Sequence, residues 1–352
     1  MKKILFALLI AVVAYLALWP VPIMPQAWTP PALPDNYPYN EKLKGIQRLA
    51  DGAGVGPEAV TVDAQGAVYS GWIDGRVFKL DAAGTLTQIA DTGGRPMGVA
   101  LDKDGALWVA DARKGLLKIE HGAVKAMSTE AEGLKFGFTD DLDIAPDGAV
   151  YFSDASSKFG YGQHMEEAFE HGANGRVLKF DPKTGKTTVL ARDLVFPNGI
   201  AVGYGGDYLL VNETLKYRVL RVWLKGSNAG KVEPFIENLP GFPDNITYNG
   251  FDTVWVALFS PRTPDLDKML PYPALRKIVY RLPAFLHPKP PMHAFALGVG
   301  LDGKVKYNLQ YKGEDVFAPI TSVRQAGDSL YFGSLTYPAL GKIKLTDVLA
   351  PQ

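Results

Sequence analysis

The stretch Leu142-Asp143-Ile144-Ala145-Pro146-Asp147-Gly148-Ala149-Val150-Tyr151 decides the fold, because its pattern returns five more times along the chain. It consists of an apolar–x–apolar triplet, a turn rich in Gly and Asp, and a second apolar run ending in an aromatic or aliphatic residue. Short alternating apolar runs indicate strands, and the Gly and Asp between them indicate tight hairpin turns. The other copies, of which the last is looser, are Val60–Tyr69, Val99–Trp108, Ile200–Leu209, Ile246–Trp255 and Thr321–Tyr331.

Further strand-like runs follow the first two in several copies, for example at Gly75–Leu80 and Gly175–Phe180. Successive copies begin about 40 to 75 residues apart, and the shortest spacing matches one four-stranded propeller blade. Six such copies predict an all-β, six-bladed β-propeller that occupies residues 41–352 as one domain. The alternative is an irregular β-sandwich whose turns resemble one another by coincidence.

Composition narrows the function classes. The chain has 37 Lys and Arg against 37 Asp and Glu, so its formal net charge is zero and nothing suggests a nucleic-acid surface. It has no cysteine, which excludes disulfides and thiolate chemistry. Apolar residues make up 47% of the chain, which is enough for a substantial core.

The N-terminus favours a membrane anchor over residues 1–24. Lys2 and Lys3 precede an uncharged apolar run, Ile4–Trp19, which is extended by further apolar residues to Met24. No Ala-x-Ala-like cleavage site follows the run, and the two lysines favour a cytoplasmic N-terminus. We therefore expect an uncleaved signal-anchor helix and a single-pass membrane protein with its propeller on the extracytoplasmic side. The alternative is a cleaved signal peptide.

Three segments depart from the repeat. Residues 25–40 are rich in proline and predict a stiff, extended spacer between the anchor and the propeller. Residues 158–173 resemble a short helical insertion. Residues 262–291 form a longer helical insertion, which could act as a lid over the channel, as a membrane-facing surface or as a solvated decoration.

One position in the repeat carries the candidate chemistry. It lies two residues before each triplet, and repeats arranged around an axis bring all six such positions together. The six residues, four of which carry side-chain oxygen, are Glu58, Met97, Asp140, Asn198, Asp244 and Pro319. Taken singly, each polar one could instead be a turn residue or a strand-edge acid.

Several motifs in the same order resemble strictosidine synthase-like proteins of the senescence marker protein and gluconolactonase group, which includes animal adipocyte plasma membrane-associated proteins. The resemblance runs from about Glu58 to Lys344 and implies a six-bladed propeller. It also implies a divalent metal, usually calcium, at Glu58, Asn198 and Asp244, with Asp140 where the family commonly has Asn. The matching stretches are Phe138–Asp143, Val150–Lys158, Gly175–Asp181, Phe196–Gly199, Pro240–Ile246 and Trp255–Ala257.

Oxygen ligands suit Ca²⁺, or another hard divalent cation, better than zinc or copper. Together with this donor set, the resemblance implies a membrane-anchored, calcium-dependent hydrolase of esters or lactones, in which the metal would polarise the carbonyl for attack by water. Asp244 is the first candidate for the general base, and Asp140 or Asp141 is the next. The sequence contains no Gly-x-Ser-x-Gly elbow, and this disfavours a serine hydrolase.

Two other functions remain open at this stage. One is a non-enzymatic propeller that binds a ligand or a partner around a structural metal. The other is a strictosidine synthase-like condensing enzyme or lyase, although residues 316–323 of the last repeat offer no acid for it. Five phenylalanines near the first strands predict an apolar pocket wall, and they are Phe136, Phe138, Phe196, Phe242 and Phe317. The five histidines lie outside the repeat register, which favours positions on the surface or the rim.

Overall fold

The computed structural model describes residues 1–349 and contains six four-stranded antiparallel sheets. The first strand of each sheet contacts the first strand of the next, and the sixth returns to the first, so the sheets close into a ring. The expected all-β, six-bladed propeller is confirmed.

Blades one to three follow the repeat directly, and a short ribbon lies between the second and third. Blade one contains β2 (Thr61–Val62), β3 (Val68–Gly71), β4 (Arg76–Leu80) and β5 (Leu86–Asp91). Blade two contains β6 (Pro96–Leu101), β7 (Leu107–Asp111), β8 (Gly115–Glu120) and β9 (Ala123–Ser128). The ribbon is β10 (Glu130–Ala131) and β11 (Leu134–Lys135), and blade three contains β12 (Thr139–Ile144), β13 (Val150–Asp154), β14 (Gly175–Asp181) and β15 (Lys186–Leu194).

The remaining blades complete the ring. Blade four contains β16 (Pro197–Val202), β17 (Tyr208–Glu213), β18 (Arg218–Trp223) and β19 (Val232–Ile236). Blade five contains β20 (Gly241–Tyr248), β21 (Thr253–Pro261), β22 (Ala294–Gly300) and β23 (Val305–Tyr311). Blade six contains β24 (Ser322–Ala326), β25 (Ser329–Gly333) and β26 (Leu340–Lys344), with β1 (Gln47–Leu49) as its outermost strand.

The two ends of the propeller sequence meet in blade six. Strand β1 pairs antiparallel with β26, and Gln47 faces Lys342 in that register. A strand from the start of the domain thus completes a sheet formed by its end, and β1 covers the outer edge that β26 would otherwise present.

The inner strands approach one another very closely around the axis. Gly199 on β16 shows this best, since a Cβ atom there would lie 2.5 Å from the carbonyl oxygen of Asp244. Only glycine permits this spacing between blades four and five, and the same spacing brings Asn198 and Asp244 onto one central site.

Five α-helices complete the described structure. They are α1 (Lys2–Leu18), α2 (His164–Glu170), α3 (Pro264–Met269), α4 (Pro273–Tyr280) and α5 (Leu345–Leu349). Helix α2 is inserted between β13 and β14 of blade three, and α3 and α4 between β21 and β22 of blade five. Both insertions therefore lie within blades, between the second and third strands.

Residues 23–28 run across both insertions without helix or strand. The backbone N–H of Met24 donates to the Glu170 carboxylate at 2.7 Å, and that of Gln26 donates to the Glu170 carbonyl at 2.9 Å. The N–H of Trp28 reaches the carbonyl of Leu270 at 3.3 Å. We call α2, α3, α4 and residues 23–28 together the cap, because they cover one end of the propeller channel.

The expected membrane anchor is wrong. Helix α1 has 17 residues and rises about 25 Å, less than the roughly 30 Å of a hydrocarbon core. It ends because Pro20 holds Trp19 in extended conformation, with ψ of 133°. Among residues 1–349 no helix combines the length and the apolar character that crossing a bilayer requires. This contradicts the predicted single-pass topology, and the extracytoplasmic placement derived from that topology loses its basis.

Candidate active site

Four of the six register residues line one central cavity of about 370 Å³ with their oxygen atoms. Glu58 precedes β2, whereas the other three lie on the first strands β12, β16 and β20. All four are at most 7% exposed. Met97 on β6 also lines the cavity. The four oxygen-bearing residues are Glu58, Asp140, Asn198 and Asp244.

Glu58 is fixed by blades five and six. The Asn245 Nδ2 atom donates to Glu58 Oε1 at 3.0 Å, and Thr321 Oγ1 donates to the Glu58 carbonyl at 2.8 Å. The N–H of Asn245 in turn donates to the carbonyl of Thr321 at 2.9 Å. Three blades are thus joined around one carboxylate, which holds its position in the cavity floor.

Asp244 is positioned from blade four. Asn212 on β17 donates its Nδ2 hydrogen to the Asp244 carbonyl, and Thr214 Oγ1 donates to the Pro243 carbonyl at 2.7 Å. Burial raises the pKa of Asp244 well above its ordinary range, and the Asn198 side chain opposes this shift. The backbone of Asp244 is thus held from blade four, and its side chain borders the cavity.

Acids at the ends of second strands hold the loops that lead to the site. Asp154 Oδ1 accepts from the N–H groups of Gly137 and Phe138 at 3.0 and 2.9 Å. Asp111 Oδ1 accepts from the N–H of Arg95 at 2.9 Å, and Glu213 Oε1 accepts from the N–H of Val195 at 2.8 Å. Sequence reasoning missed this role, although the signal was present as an acid that closes the second strand in blades two, three and four.

Several oxygen atoms of the floor have no hydrogen-bond partner among residues 1–349. They are Glu58 Oε2, both carboxylate oxygens of Asp140, and Asn198 Oδ1. Buried polar atoms are nearly always paired, because an unpaired one carries the full cost of desolvation. Acceptors left unpaired at the bottom of a cavity therefore indicate a ligand that supplies positive charge or hydrogen.

The acids of the floor resist ionisation in one another's presence. Burial raises the pKa of Glu58 to about 7, although the positive charge of Arg95 opposes the shift. Burial also raises the pKa of Asp140 and of Asp244 well above the ordinary range, and the negative charge of Glu58 adds to both shifts. At neutral pH these carboxyls need a proton or a cation.

Arg95 is a charge partner that sequence reasoning did not find. Its side chain is fully buried, and Nη1 donates to the Gly56 carbonyl at 2.8 Å. Burial raises the pKa of both Glu58 and Asp140, and the positive charge of Arg95 partly opposes that rise. If ionised, the three carboxylates of the cavity carry −3, Arg95 carries +1, and a divalent cation would bring the sum to zero.

The oxygen atoms of the floor are the ligand type that a hard divalent cation prefers, but they do not form a complete metal site by themselves. Unpaired carboxylate and amide oxygens are the ligands that Ca²⁺ takes. Within residues 1–349, however, no three Asp, Glu, His or Cys side chains converge as a ready metal cluster. A metal at this floor would thus need ligands beyond the carboxylates, such as Asn198, main-chain oxygen or water.

Asp140 and Asp141 are consecutive but serve different parts of the channel. A register shift between Thr139 and Leu142 lets both side chains turn inward. Asp140 lines the large cavity, whereas Asp141 lines a small one that also includes Asn245. Asp141 Oδ2 accepts from the N–H of Ile200 at 2.9 Å. Of the three candidates for a general base, only Asp140 and Asp244 border the large cavity.

The aromatic wall was predicted in part. Phe138, Phe196 and Phe242 line the cavity. Phe136 instead packs edge-on against Phe152, and Phe317 packs against its neighbours in blade six. Both belong to the core between strands rather than to the wall.

The sequence favoured the surface or the rim for the histidines, and His171 lies beside the cap, where it lines the cavity and is buried. It is 2% exposed, and its ring stacks on Trp28 with centroids 4.7 Å apart. Burial lowers its pKa to about 4, and the nearby charge of Lys216 acts in the same direction. The neutral ring places Nε2 2.7 Å from the Leu215 carbonyl, so it fastens the cap to blade four.

Glu167 makes the cap sensitive to pH. It is fully buried on α2, where Asn174 Nδ2 donates to its carboxylate at 3.1 Å. Burial raises its pKa to about 7. Glu170 beside it adds to the shift, whereas Lys158, paired with Glu170 at 2.6 Å, opposes it.

Glu167 should lower the stability of the closed cap as pH rises from 4.5 through 7, because the closed cap retains a proton that the opened cap releases. His171 acts in the opposite direction between about pH 4 and 6.5, because the opened cap takes up a proton that the closed cap excludes. We therefore expect the two contributions largely to cancel in the unmodified protein, and Glu167→Gln to give a cap whose stability rises with pH by at most about 1.4 kcal/mol per pH unit. Hydrogen exchange of α2 amides, corrected for intrinsic exchange, measures this slope. The same slope in Glu167→Gln and in the unmodified protein would contradict the role of Glu167.

The ring of six four-stranded blades, with polar side chains of its inner strands around a central cavity, defines the class of six-bladed propellers with an axial site. Within that class, the chain belongs to the strictosidine synthase-like family. The profile of the family described as strictosidine synthase matches residues 140–227, and that of the strictosidine synthase-like N-terminal region matches residues 35–80.

Two relatives show how far the similarity extends. Protein STRICTOSIDINE SYNTHASE-LIKE 4 of Arabidopsis thaliana is 35% identical over 325 residues, covering 90% of this chain and 85% of the relative. The adipocyte plasma membrane-associated protein of Danio rerio is 33% identical over 354 residues, covering 93% and 85%. The expected family is confirmed.

Solved structures show the same fold at lower identity. A gluconolactonase of Xanthomonas campestris has a TM-score of 0.62 at 17% identity and covers 92% of this chain and 99% of its own. Regucalcin of Agrobacterium tumefaciens, a calcium-binding protein, has a TM-score of 0.59 at 18% identity and covers 84% and 92%. At these identities the likeness establishes the propeller alone.

Proposed function

We propose that this protein is a metal-dependent hydrolase of carboxylic esters or lactones. A calcium ion, or another hard divalent cation, is held by Glu58, Asp140, Asn198 and Asp244. The observation that carries the proposal is the group of buried, unpaired oxygens at the floor of a deep cavity. The propeller shared with gluconolactonases supports a lactonase-like fold for this chemistry.

The bound cation supplies Lewis acidity at the carbonyl oxygen of the substrate. The chain supplies the rest. Asp244 takes a proton from the attacking water, and its backbone is fixed for this by Asn212 and Thr214. Asp140 also borders the cavity and is the second candidate for the general base. Water adds to the carbonyl, the ester or lactone C–O bond breaks, and the proton passes to the leaving oxygen.

Calcium removal gives the direct test. With the full chain, hydrolysis of phenyl acetate and of a short lactone panel should be lost in EDTA and restored by added Ca²⁺. The melting temperature should rise with Ca²⁺, because a ligand at about 100 times its Kd stabilises the folded state by roughly 2.7 kcal/mol.

Two outcomes would count against the proposal. Turnover that persists in EDTA would rule out the metal as a participant. A calcium-dependent rise in melting temperature without hydrolysis of any substrate would leave the metal site and replace the hydrolase with a binding propeller.

A further inference from the structure

We infer that the substrate is an ester or lactone with an extended apolar chain or ring system, and not a polyhydroxylated sugar lactone. This inference rests on the proposed function and adds the class of molecule that the site accepts. It comes from the distribution of polar groups over the cavity, which is uneven from floor to cap.

The cavity wall is apolar above the floor. Its side chains come from four blades and from the cap, and about 370 Å³ is enough for a ligand of drug-like size. Aromatic rings and thioethers dominate the surface. The apolar lining includes Phe138, Phe196, Phe242, Phe259, Met165 and Leu266.

The buried polar side chains that border the wall already have partners within the protein. Tyr217 donates its hydroxyl hydrogen to Asp267 at 3.0 Å, and Thr214 donates to the Pro243 carbonyl at 2.7 Å. His171 uses Nε2 on the Leu215 carbonyl. None of these three groups keeps that donor for a substrate hydroxyl.

The one buried cation of the wall is also occupied. Arg276 on α4 is fully buried, and Nη1 donates to the carbonyls of Phe169 and Glu170 at 3.0 and 3.3 Å. Nη2 donates to the carbonyl of Gln26. Both terminal nitrogens therefore join α2 to residues 23–28, and among residues 1–349 only Nε of this side chain has no hydrogen-bond partner.

A sugar lactone in this cavity would lose hydration at several hydroxyls, and the buried side chains of the wall offer few free hydrogen-bond partners in exchange, which is costly. An apolar chain loses nothing comparable and gains from burial. The ester or lactone group then lies at the polar floor, and its chain extends toward the cap, where Met165 and Leu266 lie. The cap thus determines specificity, and the floor determines the reaction.

A chain-length series tests this assignment on the full-length protein with Ca²⁺. We expect kcat/KM for p-nitrophenyl esters from acetate to decanoate to rise about fourfold per methylene until the cavity is filled. δ-Decalactone should be preferred over gluconolactone by at least a hundredfold. The near-isosteric variants Met165→Gln and Leu266→Asn should lower the slope with chain length by half or more.

Matched controls come from exposed residues between β21 and β22 of blade five. Met292 is 56% exposed and Leu275 is 42% exposed, and neither lines the cavity. Met292→Gln and Leu275→Asn should keep the slope of the unmodified protein. A flat chain-length profile, or hydrolysis of gluconolactone at least as good as that of δ-decalactone, would overturn the inference.

Binding measured without turnover separates this inference from the proposed function. We expect decan-2-one to displace the neutral fluorophore N-phenyl-1-naphthylamine far better than butan-2-one, and gluconolactone not to displace it. Displacement that rises with chain length in the absence of any hydrolysis supports the apolar ligand class and refutes the hydrolase. Displacement that is independent of chain length refutes the ligand class itself.

Discussion

Asp244→Asn should lower kcat/KM for ester or lactone hydrolysis by about 10²- to 10⁴-fold, the usual range for loss of a positioned general base. The carboxamide keeps the size of the side chain but cannot accept the proton of the attacking water. It also removes one of the three negative charges that, with Arg95, balance a divalent cation. The rise in melting temperature with Ca²⁺ should shrink for the same reason.

Asp143→Asn is the matched control for this variant. Asp143 is an acid on β12 that does not line the large cavity, and its Oδ2 atom accepts from the N–H of Val202 at 2.8 Å. An asparagine oxygen can accept the same hydrogen bond. We therefore expect Asp143→Asn to retain most activity. If Asp244→Asn retained it too, the role of base would pass to Asp140.

The second large effect is on stability. Arg176→Met should lower the free energy of unfolding by about 3–5 kcal/mol, because it leaves Asp154 as a buried charge without its partner. Asp154 is completely buried and accepts from Arg176 Nε at 2.9 Å. Arg176 also donates to the carbonyls of Leu134 and Lys135, each at 2.9 Å. One side chain therefore ties blade three to the ribbon β10–β11.

Urea denaturation measures this loss, and the pair Arg192–Glu132 provides the control. That pair has a similar separation of 3.0 Å, but its side chains are 61% and 51% exposed. Arg192→Met should change the free energy of unfolding by less than about 1 kcal/mol. Equal effects of Arg176→Met and Arg192→Met would refute the assigned importance of the buried pair.

The same variant should also reduce activity. Asp154 holds the N–H groups of Gly137 and Phe138, and Asp140 follows two residues later. Once Arg176 no longer balances its charge, Asp154 is expected to shift or take up a proton, and the loop before β12 loses its fixed position. Stability and site geometry are therefore linked through one ion pair in blade three.

The N-terminal segment shows where local patterns gave the wrong result. Its apolar run predicted a span, yet Pro20 ends α1 after 17 residues. The proline-rich stretch that follows contains no helix or strand, as its composition indicates. Its first residues nevertheless dock on Glu170 and Leu270, which lie far away in sequence. Composition predicts that a segment is extended, but it cannot predict which surface the segment meets.

The sequence by itself determined the strands, the number of blades and the four oxygen-bearing residues at the centre. These follow from local periodicity, because a residue at a fixed offset from each inner strand lies at the same height on the axis in every blade. Asp140 and Asp141 mark the limit of this reasoning. Their side chains line two different cavities because of a register shift in the pairing of β12 with β13. No local sequence pattern predicts that shift.

Only the tertiary structure decided the charge balance and the substrate wall. Arg95, Asn245 and Asp154 act on the site through partners in other loops or blades, and their types alone do not reveal those partners. The cap is formed by two insertions and an N-terminal segment that meet at Arg276. Such contacts join residues more than 100 positions apart, and they form only after the closed ring of blades has fixed where each insertion emerges.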